Sequence, residues 1–551
     1  MKNKNTLKKY LQNRLFIFSI VFGYFIYFII YRFGSGGSFP SAFNDNDYLL
    51  YQVSYFSFLK SEWNIPLFLT DRLFVNRSVN LYLADYIPLY SLILKTIYTF
   101  FNLKITNPFL FWILLNTILM FYFSLKIFNL NPYFSIYQSY LGAIIISTLT
   151  LSPFKFLYHP GEASHWIIIA AIYFFIKSKN NTNYINYLTV LTGITLWIHF
   201  YLFTMILGIL IISYLINISK IKKILFSFLL LVSLISIIFF LTFGNFETFI
   251  STLNTDISSD FNPGWSSEFN SFFCSYYDKS FFHEILKCYE PYTNIDIESY
   301  GYLSLGIIFL IPLLFLNFKK MTKLIIFDKN LILLSLVYLF YSFGNRVKIA
   351  HKQVYEYEFS NLHLWTIEIF RAHGRFIYLF YYLLCFLCIF NIFNIVQINK
   401  KTNIILFIFV FLQIFDLGNQ YNYTNLKNFK IEIPENEVLK FVPNSYEYAD
   451  RTLFIYPPDN CKEDYDMYLF AKEFVKYGGK LSSSRIRGGV NFDNCKNLNI
   501  LDSLIKYNPS HFIISNPAAK DSYFEINKKY NCIEINGIFQ KNFFYYCQKN
   551  K

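Results

Sequence analysis

The chain has 551 residues, 54% of them hydrophobic, 22% aromatic and only 15% charged, and its mean hydropathy is +0.34; together these exclude a soluble globular profile. The formal net charge of +14 does not mark a nucleic-acid binder, because the lysines fall in short clusters between apolar runs and form no single face. The 67 Phe and 47 Tyr read as lipid-facing filler and interfacial belts rather than stacking platforms.

Residues 1–14 hold four Lys and one Arg ahead of the first apolar run, with no small-residue cleavage site behind it. That pattern predicts an uncleaved start-transfer helix. Runs suited to spanning begin near Leu15, Phe109, Ser139, Trp166, Tyr184, Tyr201, Ile224, Tyr302, Leu331, Phe376 and Asn403, which predicts about 11 transmembrane helices at roughly 20 residues per span. Lysine pairs and triplets at Lys177/Lys179, Lys220/Lys222/Lys223, Lys319/Lys320/Lys323 and Lys400/Lys401 place those connectors in the cytoplasm with the N-terminus. Alternation then holds if the stretch Leu81 to Phe101, with Asp85 and Pro88 inside it, lies along the outer surface as a juxtamembrane helix instead of crossing. Segments 32–108, 155–164, 244–300, 344–374 and everything after about residue 417 fall outside. The loop 244–300 carries nine acidic residues against two Lys, which suits that side.

Cysteines give an independent reading, since disulfides persist in oxidising compartments. Cys274 and Cys288 share one outer loop; Cys461, Cys495, Cys532 and Cys547 lie in the C-terminal region; Cys385 and Cys388 sit inside a helix. Outer disulfides are expected, six free thiols being the competing reading, and spacing does not fix the connectivity. Residues 430–551 change character, with β-rich runs at Thr452 to Tyr456 and His511 to Ser515 and a helical pattern around Tyr465 to Lys476, and read as a small α/β domain. The expected fold class is therefore a polytopic α-helical membrane protein, 1–425 with its first outer loop 32–108, followed by a periplasmic α/β domain, 426–551.

Phosphate-loop and dinucleotide fingerprints, HExxH and zinc-spaced CxxC pairs are absent from the sequence. Four polar clusters remain, all on the outer side under a topology drawn from lysine placement alone. Asp45 and Asp47 follow the first helix, where a carboxylate can meet a membrane-anchored substrate; a turn-forming Asn/Asp cluster is the plain alternative. His159-Pro-Gly-Glu162-Ala-Ser-His165-Trp166 puts three ionisable groups within seven residues at membrane depth, where they can hold a metal, shuttle protons or bind a phosphate, or simply form a hydrated helix entry. His199 falls where the run from Tyr184 to Ile216 turns back at the outer surface, and taken alone is a packed or interfacial histidine. Arg371-Ala-His373-Gly374-Arg375 offers donors for a phosphate or sugar carboxylate, or an interfacial anchor.

The order of these motifs resembles the GT-C class of membrane glycosyltransferases, and in particular an uncharacterised bacterial family of polytopic GT-C-like proteins. An acidic motif in the first outer loop, juxtamembrane helices, many spans and a C-terminal periplasmic domain match in order. Within the uncharacterised branch the likeness is carried by Asp47 with Trp63 sixteen residues on, ahead of Pro66-Leu67, by Asp85-Tyr-Ile-Pro-Leu89, by His165-Trp166, by His199-Phe200 and, most specifically, by the Phe-Arg-x-x-Gly-Arg-Phe of Phe370 to Phe376. It runs from about residue 40 to 420 and more weakly beyond. In loop 159–165, Glu162 has no role assigned by the likeness.

The resemblance implies an inner-membrane glycosyltransferase that moves a sugar from a polyprenyl-phosphate donor to a cell-envelope glycan, lipid or protein on the periplasmic side. It makes Asp47 the general base, with Asp45 as fallback, and Arg371 and Arg375 partners of the leaving phosphate; His165, His199, Glu162, His159 and Asp85 complete the substrate-binding candidates. A divalent metal fits at Glu162 and the histidines, though no spacing demands one. The rival expectations are a non-enzymatic lipid-linked glycan flippase or transporter using the same residues to line a path, and an envelope scaffold acting through the C-terminal domain.

Overall fold

The computed structural model describes residues 15–28, 46–73, 78–83, 86–102, 108–131, 134–245, 267–274, 300–316, 327–349, 352–358, 370, 372–395, 400–426, 452–456, 471–472, 474–481, 511–515, 530–536 and 543–549. Most of them are helical. The helices are α1 (Leu15–Phe28), α2 (Asn46–Lys60), α3 (Pro88–Phe101), α4 (Phe109–Phe128), α5 (Ile136–Ser147), α6 (Leu151–Tyr158), α7 (Trp166–Asn180) and α8 (Asn183–Thr195). They continue with α9 (Phe200–Ile216), α10 (Ile221–Phe243), α11 (Ser304–Ile308), α12 (Ile311–Leu316), α13 (Lys329–Ser342), α14 (Ile377–Ile395) and α15 (Lys400–Leu426). Two small hairpins, β1 (Leu69–Thr70) with β2 (Val79–Asn80) and β3 (Arg346–Ile349) with β4 (Lys352–Glu356), are antiparallel.

A helix begins within about three residues of every start expected from the apolar runs. Among the described residues three helices are long and apolar enough to cross a bilayer: Phe109–Phe128, Ile218–Phe243 and His373–Ile392. Leu15–Phe28, Phe200–Ile216, Lys329–Ser342 and Asn403–Asp416 are apolar but shorter. Helix breaks are the reason. The run from Tyr302 divides into α11 and α12, with Pro312 in the first turn of the second piece, where a missing N–H costs nothing. The run from Ser139 ends as α5 at Ser147, and α6 restarts with Pro153 in its own first turn. What the chain shows is a mostly helical protein with helices capable of spanning a membrane.

Local chemistry sets several of these boundaries. Ser135 caps α5 through a reciprocal capping box with Gln138. Asp328 caps α13 by accepting from the Asn330 N–H and pairs with Lys179 at 2.7 Å.

Residue contacts group the chain into two compact units, one of residues 1–42, 109–235 and 259–428, the other of 43–108, 236–258 and 429–551. In the first, α1 crosses α4 at Gly23, where a Cβ would come within 2.7 Å of Ile118 Cα and Cγ1. Only a residue without a side chain lets these backbones approach so closely. Gly23→Val should therefore force α1 off α4 and destabilise the protein by about 1–3 kcal/mol, read as a lower midpoint in denaturant titration of the detergent-solubilised chain.

The second unit is built around α2, whose residues from Leu49 to Leu59 are all buried. Phe58, Phe68 and Tyr86 interlock beside it, with ring centroids 5.7–6.1 Å apart. Alongside lies α3; its 14 residues rise about 21 Å, short of a hydrocarbon core of about 30 Å. It buries Tyr90, Leu94 and Lys95 and exposes Ile93, Phe100 and Phe101. Burial pushes the Lys95 amine down to about 8.

The C-terminal strands β5 (Thr452–Tyr456), β6 (Lys480–Leu481), β7 (His511–Ser515), β8 (Tyr530–Asn536) and β9 (Phe543–Lys549) form one mixed sheet in the order β6-β5-β7-β9-β8. The pairs β5–β6 and β5–β7 are parallel and β7–β9 and β8–β9 antiparallel, so the two strands expected from sequence lie side by side in an α/β sheet. A disulfide joins Cys532 to Cys547 at directly opposed positions of β8 and β9; Cys274 is disulfide-bonded too, and Cys385 and Cys388 are free and buried in α14. Cys288, Cys461 and Cys495 lie outside the described residues.

Within this unit the Asp71 carboxylate meets Lys480 at 2.5 Å and Arg72 at 3.7 Å. Partial burial alone would raise Asp71, but the Lys480 hydrogen bond and the charges of Lys480 and Arg72 outweigh it and hold the carboxyl below its usual 3.8. A folded-state value below the unfolded one stabilises above that unfolded value, and the gain is lost as pH falls through the folded one. The difference in unfolding midpoint between wild type and Lys480→Gln should thus be present at pH 6 and vanish on acidification below 3.8.

Candidate functional site

Loop 159–165 is a tight, buried turn between α6 and α7, in the helical unit. The Ala163 N–H donates to the His159 carbonyl at 3.1 Å and the His165 N–H to the Ala163 carbonyl at 2.8 Å. Ser152 of α6 donates its hydroxyl to the Ala163 carbonyl at 3.1 Å, and the Trp112 indole N–H to the Pro160 carbonyl at 3.1 Å. Trp166, opening α7, stacks on Phe123 at 6.0 Å.

That turn carries Glu162 into the interior with no exposed surface. Lys155 Nζ lies 2.9 Å from Glu162 Oε1 and Arg375 Nε 3.3 Å from Oε2, the three side chains being 0–2% exposed; the Tyr378 hydroxyl donates to Oε1 as well. A carboxylate buried among two cations and a phenol is held by charge-assisted hydrogen bonds, and so are its partners. Arg375 also stacks over the Tyr201 ring, 4.6 Å from its centroid.

The turn of residues 372–376 is fastened from three sides. Tyr201 accepts the Ala372 N–H at 3.0 Å, Ser267 donates to the Gly374 carbonyl at 3.1 Å, and His373 packs its ring against Tyr341 at 5.1 Å. Phe370 stacks on Phe200 at 5.4 Å.

His165 is fully buried, with Nδ1 sharing a 2.8 Å hydrogen bond with the Tyr382 hydroxyl and its ring 4.5 Å from Tyr378. Burial, against the raising effect of Glu162 and with the lowering effects of Lys155 and His199, pushes it down to about 3. At neutral pH the ring is uncharged, able to orient a polar group but not to act as a cation. His199 immediately precedes α9 in an extended conformation, with its ring 5.6 Å from Tyr201. His159 is buried at the end of α6.

Of the residues singled out from sequence, Glu162, His165, His199, His159 and Arg375 all belong to the helical unit, and Glu162 and Arg375 meet directly. Arg375 pairs with Glu162 and lies over the Tyr201 ring, which answers the charge and donors of its buried guanidinium within the protein. The divalent-metal reading finds no ligand set: among the described residues no three His, Cys, Asp or Glu are placed to hold one, and Glu162 is occupied by two cations and a phenol. Asp47 stands in the first turn of α2 in the other unit, and its side chain lies outside what is described. Asp45, Asp85 and Arg371 are outside the described residues altogether.

Sequence reasoning missed Lys155, Tyr201, Tyr378 and Tyr382. Lys155, alone among apolar neighbours, carried the signal of a costly cation; Tyr378, Tyr381 and Tyr382, at spacings of three and four, share one face of α14. Tyr381 leads from this cluster to a second buried one. Its hydroxyl donates to the Tyr302 carbonyl at 2.9 Å, while Asp416 of α15 accepts from the Tyr302 hydroxyl at 3.3 Å and from the Leu305 N–H at 2.9 Å.

A family model described as a domain of unknown function, DUF6311, matches residues 20–418. No curated protein matches the chain.

Proposed function

We propose that this chain, which belongs to the DUF6311 family, is a membrane glycosyltransferase of the GT-C kind. It moves a sugar from a polyprenyl-phosphate donor to an envelope glycan, lipid or protein on the periplasmic side of a bacterial inner membrane. In this reading the helical runs cross about 11 times, some of them as broken or tilted segments, the polyprenyl chain lies against them, and Asp47 takes the proton of the acceptor hydroxyl. Arg371 answers the charge developing on the leaving phosphate, while Arg375 ties residues 372–376 to Glu162.

The observation that supports the reading most is convergence. Three stretches that carry the likeness, 159–166, 199–200 and 370–376, are far apart in sequence and are joined by the Glu162–Arg375 pair and the Phe200–Phe370 stack, with the neighbouring Tyr201 accepting the Ala372 N–H. A scaffold acting through its C-terminal domain alone has no use for that assembly. The test is transfer of labelled sugar from native polyprenyl-phosphate donors in membranes with and without the chain. Transfer dependent on the chain is expected, and equal background in both would sink the reading.

One observation favours the rival reading of a flippase or transporter. The helix broken between α11 and α12 is met at its start by the buried Asp416, and broken helices facing an ionisable group recur in secondary transporters. In that case Asp416→Asn should abolish movement of a labelled lipid-linked glycan across the bilayer of proteoliposomes; movement at the wild-type rate would remove this alternative.

A further inference from the structure

Residues 43–108 and 429–551 belong to one compact unit, and beside the Asp71–Lys480 ion pair Arg72 links the two stretches. Arg72 follows β1. Its Nη1 donates to the Gly478 carbonyl at 2.5 Å and its Nη2 to the Lys60 carbonyl at 3.3 Å, while its own carbonyl accepts the Leu481 N–H at 2.7 Å. Lys60 is the last residue of α2, and Gly478 and Leu481 flank the start of β6. The guanidinium fork thus spans from the end of the helix to the edge of the C-terminal sheet, a geometry that lysine does not reproduce.

The surroundings hold that fork in one orientation. Thr70 Oγ1 accepts the Arg72 N–H at 3.1 Å and shares a 2.6 Å hydrogen bond with Ser61 Oγ, which donates in turn to the Ser57 carbonyl of α2 at 2.7 Å. On the far side, Gly478 has a φ of +95°, a conformation that glycine takes without strain. At Gly479 a Cβ would lie 2.2 Å from the Phe474 ring, so the turn that offers its carbonyl to Arg72 needs both glycines.

We propose that the C-terminal domain positions the acid-bearing helix α2, with Arg72 as the positioning residue. The importance of that helix rests on the reading of Asp47 as the base. As a 15-residue rod about 22 Å long, buried from Leu49 to Leu59, α2 carries any displacement at Lys60 to the first turn, where Asp47 stands, and reaction rates fall steeply with misplacement of about 1 Å.

The experiment is hydrogen exchange on the full chain in lipid nanodiscs, comparing wild type with Arg72→Ala and Arg72→Lys, together with the transfer assay. Removing the fork should speed exchange of the amides 50–60 by about tenfold or more, and should lower kcat for transfer while leaving the donor KM unchanged. Arg72→Lys, which keeps the charge and still folds should the alanine variant not, should give the same effects in smaller degree. Unaltered exchange in α2 in a folded variant overturns the positioning role whatever transfer does. Faster exchange in a chain whose wild type transfers no sugar upholds the positioning and removes the reading of Asp47 as base.

Discussion

Replacing Glu162 with alanine should destabilise the protein by about 3–5 kcal/mol, the cost of taking the carboxylate from between buried cations. Lys155 and Arg375 are 0% and 2% exposed and within 2.9 and 3.3 Å of it, and water does not reach them to compensate. Glu162→Gln keeps the shape and the Tyr378 contact but not the charge, so it should fall between alanine and wild type. The double substitution Lys155→Met with Glu162→Leu removes one cation together with the anion and should recover part of the loss, since apolar residues of similar volume often replace buried ion pairs without penalty. Denaturant titrations of the purified chain in one detergent measure all three. A Glu162→Ala midpoint within error of wild type would mean that the cluster is not the keystone of the helical unit.

How far such a site can be read before folding is instructive. Apolar runs placed helix starts well, because a run of about 20 apolar residues has few alternatives to a helix, and the β-rich runs at Thr452–Tyr456 and His511–Ser515 are neighbouring strands. Helix lengths were not legible: the run from Tyr302 forms two short helices, and the partner that meets the start of the first, Asp416, lies more than a hundred residues away. The same holds for the site. Glu162, His165 and Arg375 announced themselves as charged or titratable residues in apolar surroundings, but the pairing of Glu162 with Arg375 spans more than two hundred residues and has no local signature. Lys155, a lone cation among apolar neighbours, carried a signal of the same kind. The bond from Arg72 to Gly478, 406 residues apart, has no local signature at all.

Asp47→Asn should lower sugar transfer by about 10²- to 10⁴-fold, the usual worth of a positioned general base, with little change in the unfolding midpoint. Asparagine keeps the size and hydrogen-bonding reach of the side chain and removes its capacity to take a proton. The position suits the role: Asp47 lies in the first turn of α2, where the helix dipole favours a negative charge, at the head of a helix whose body from Leu49 to Leu59 is buried. The comparison belongs in membranes at matched expression, with Asp45→Asn beside it. Loss in the first variant alone identifies Asp47 as the base; loss in the second alone transfers the role to Asp45. If both variants transfer as wild type does, neither Asp45 nor Asp47 takes the proton, and the buried Asp416 with its broken helix becomes the better starting point for what the protein does.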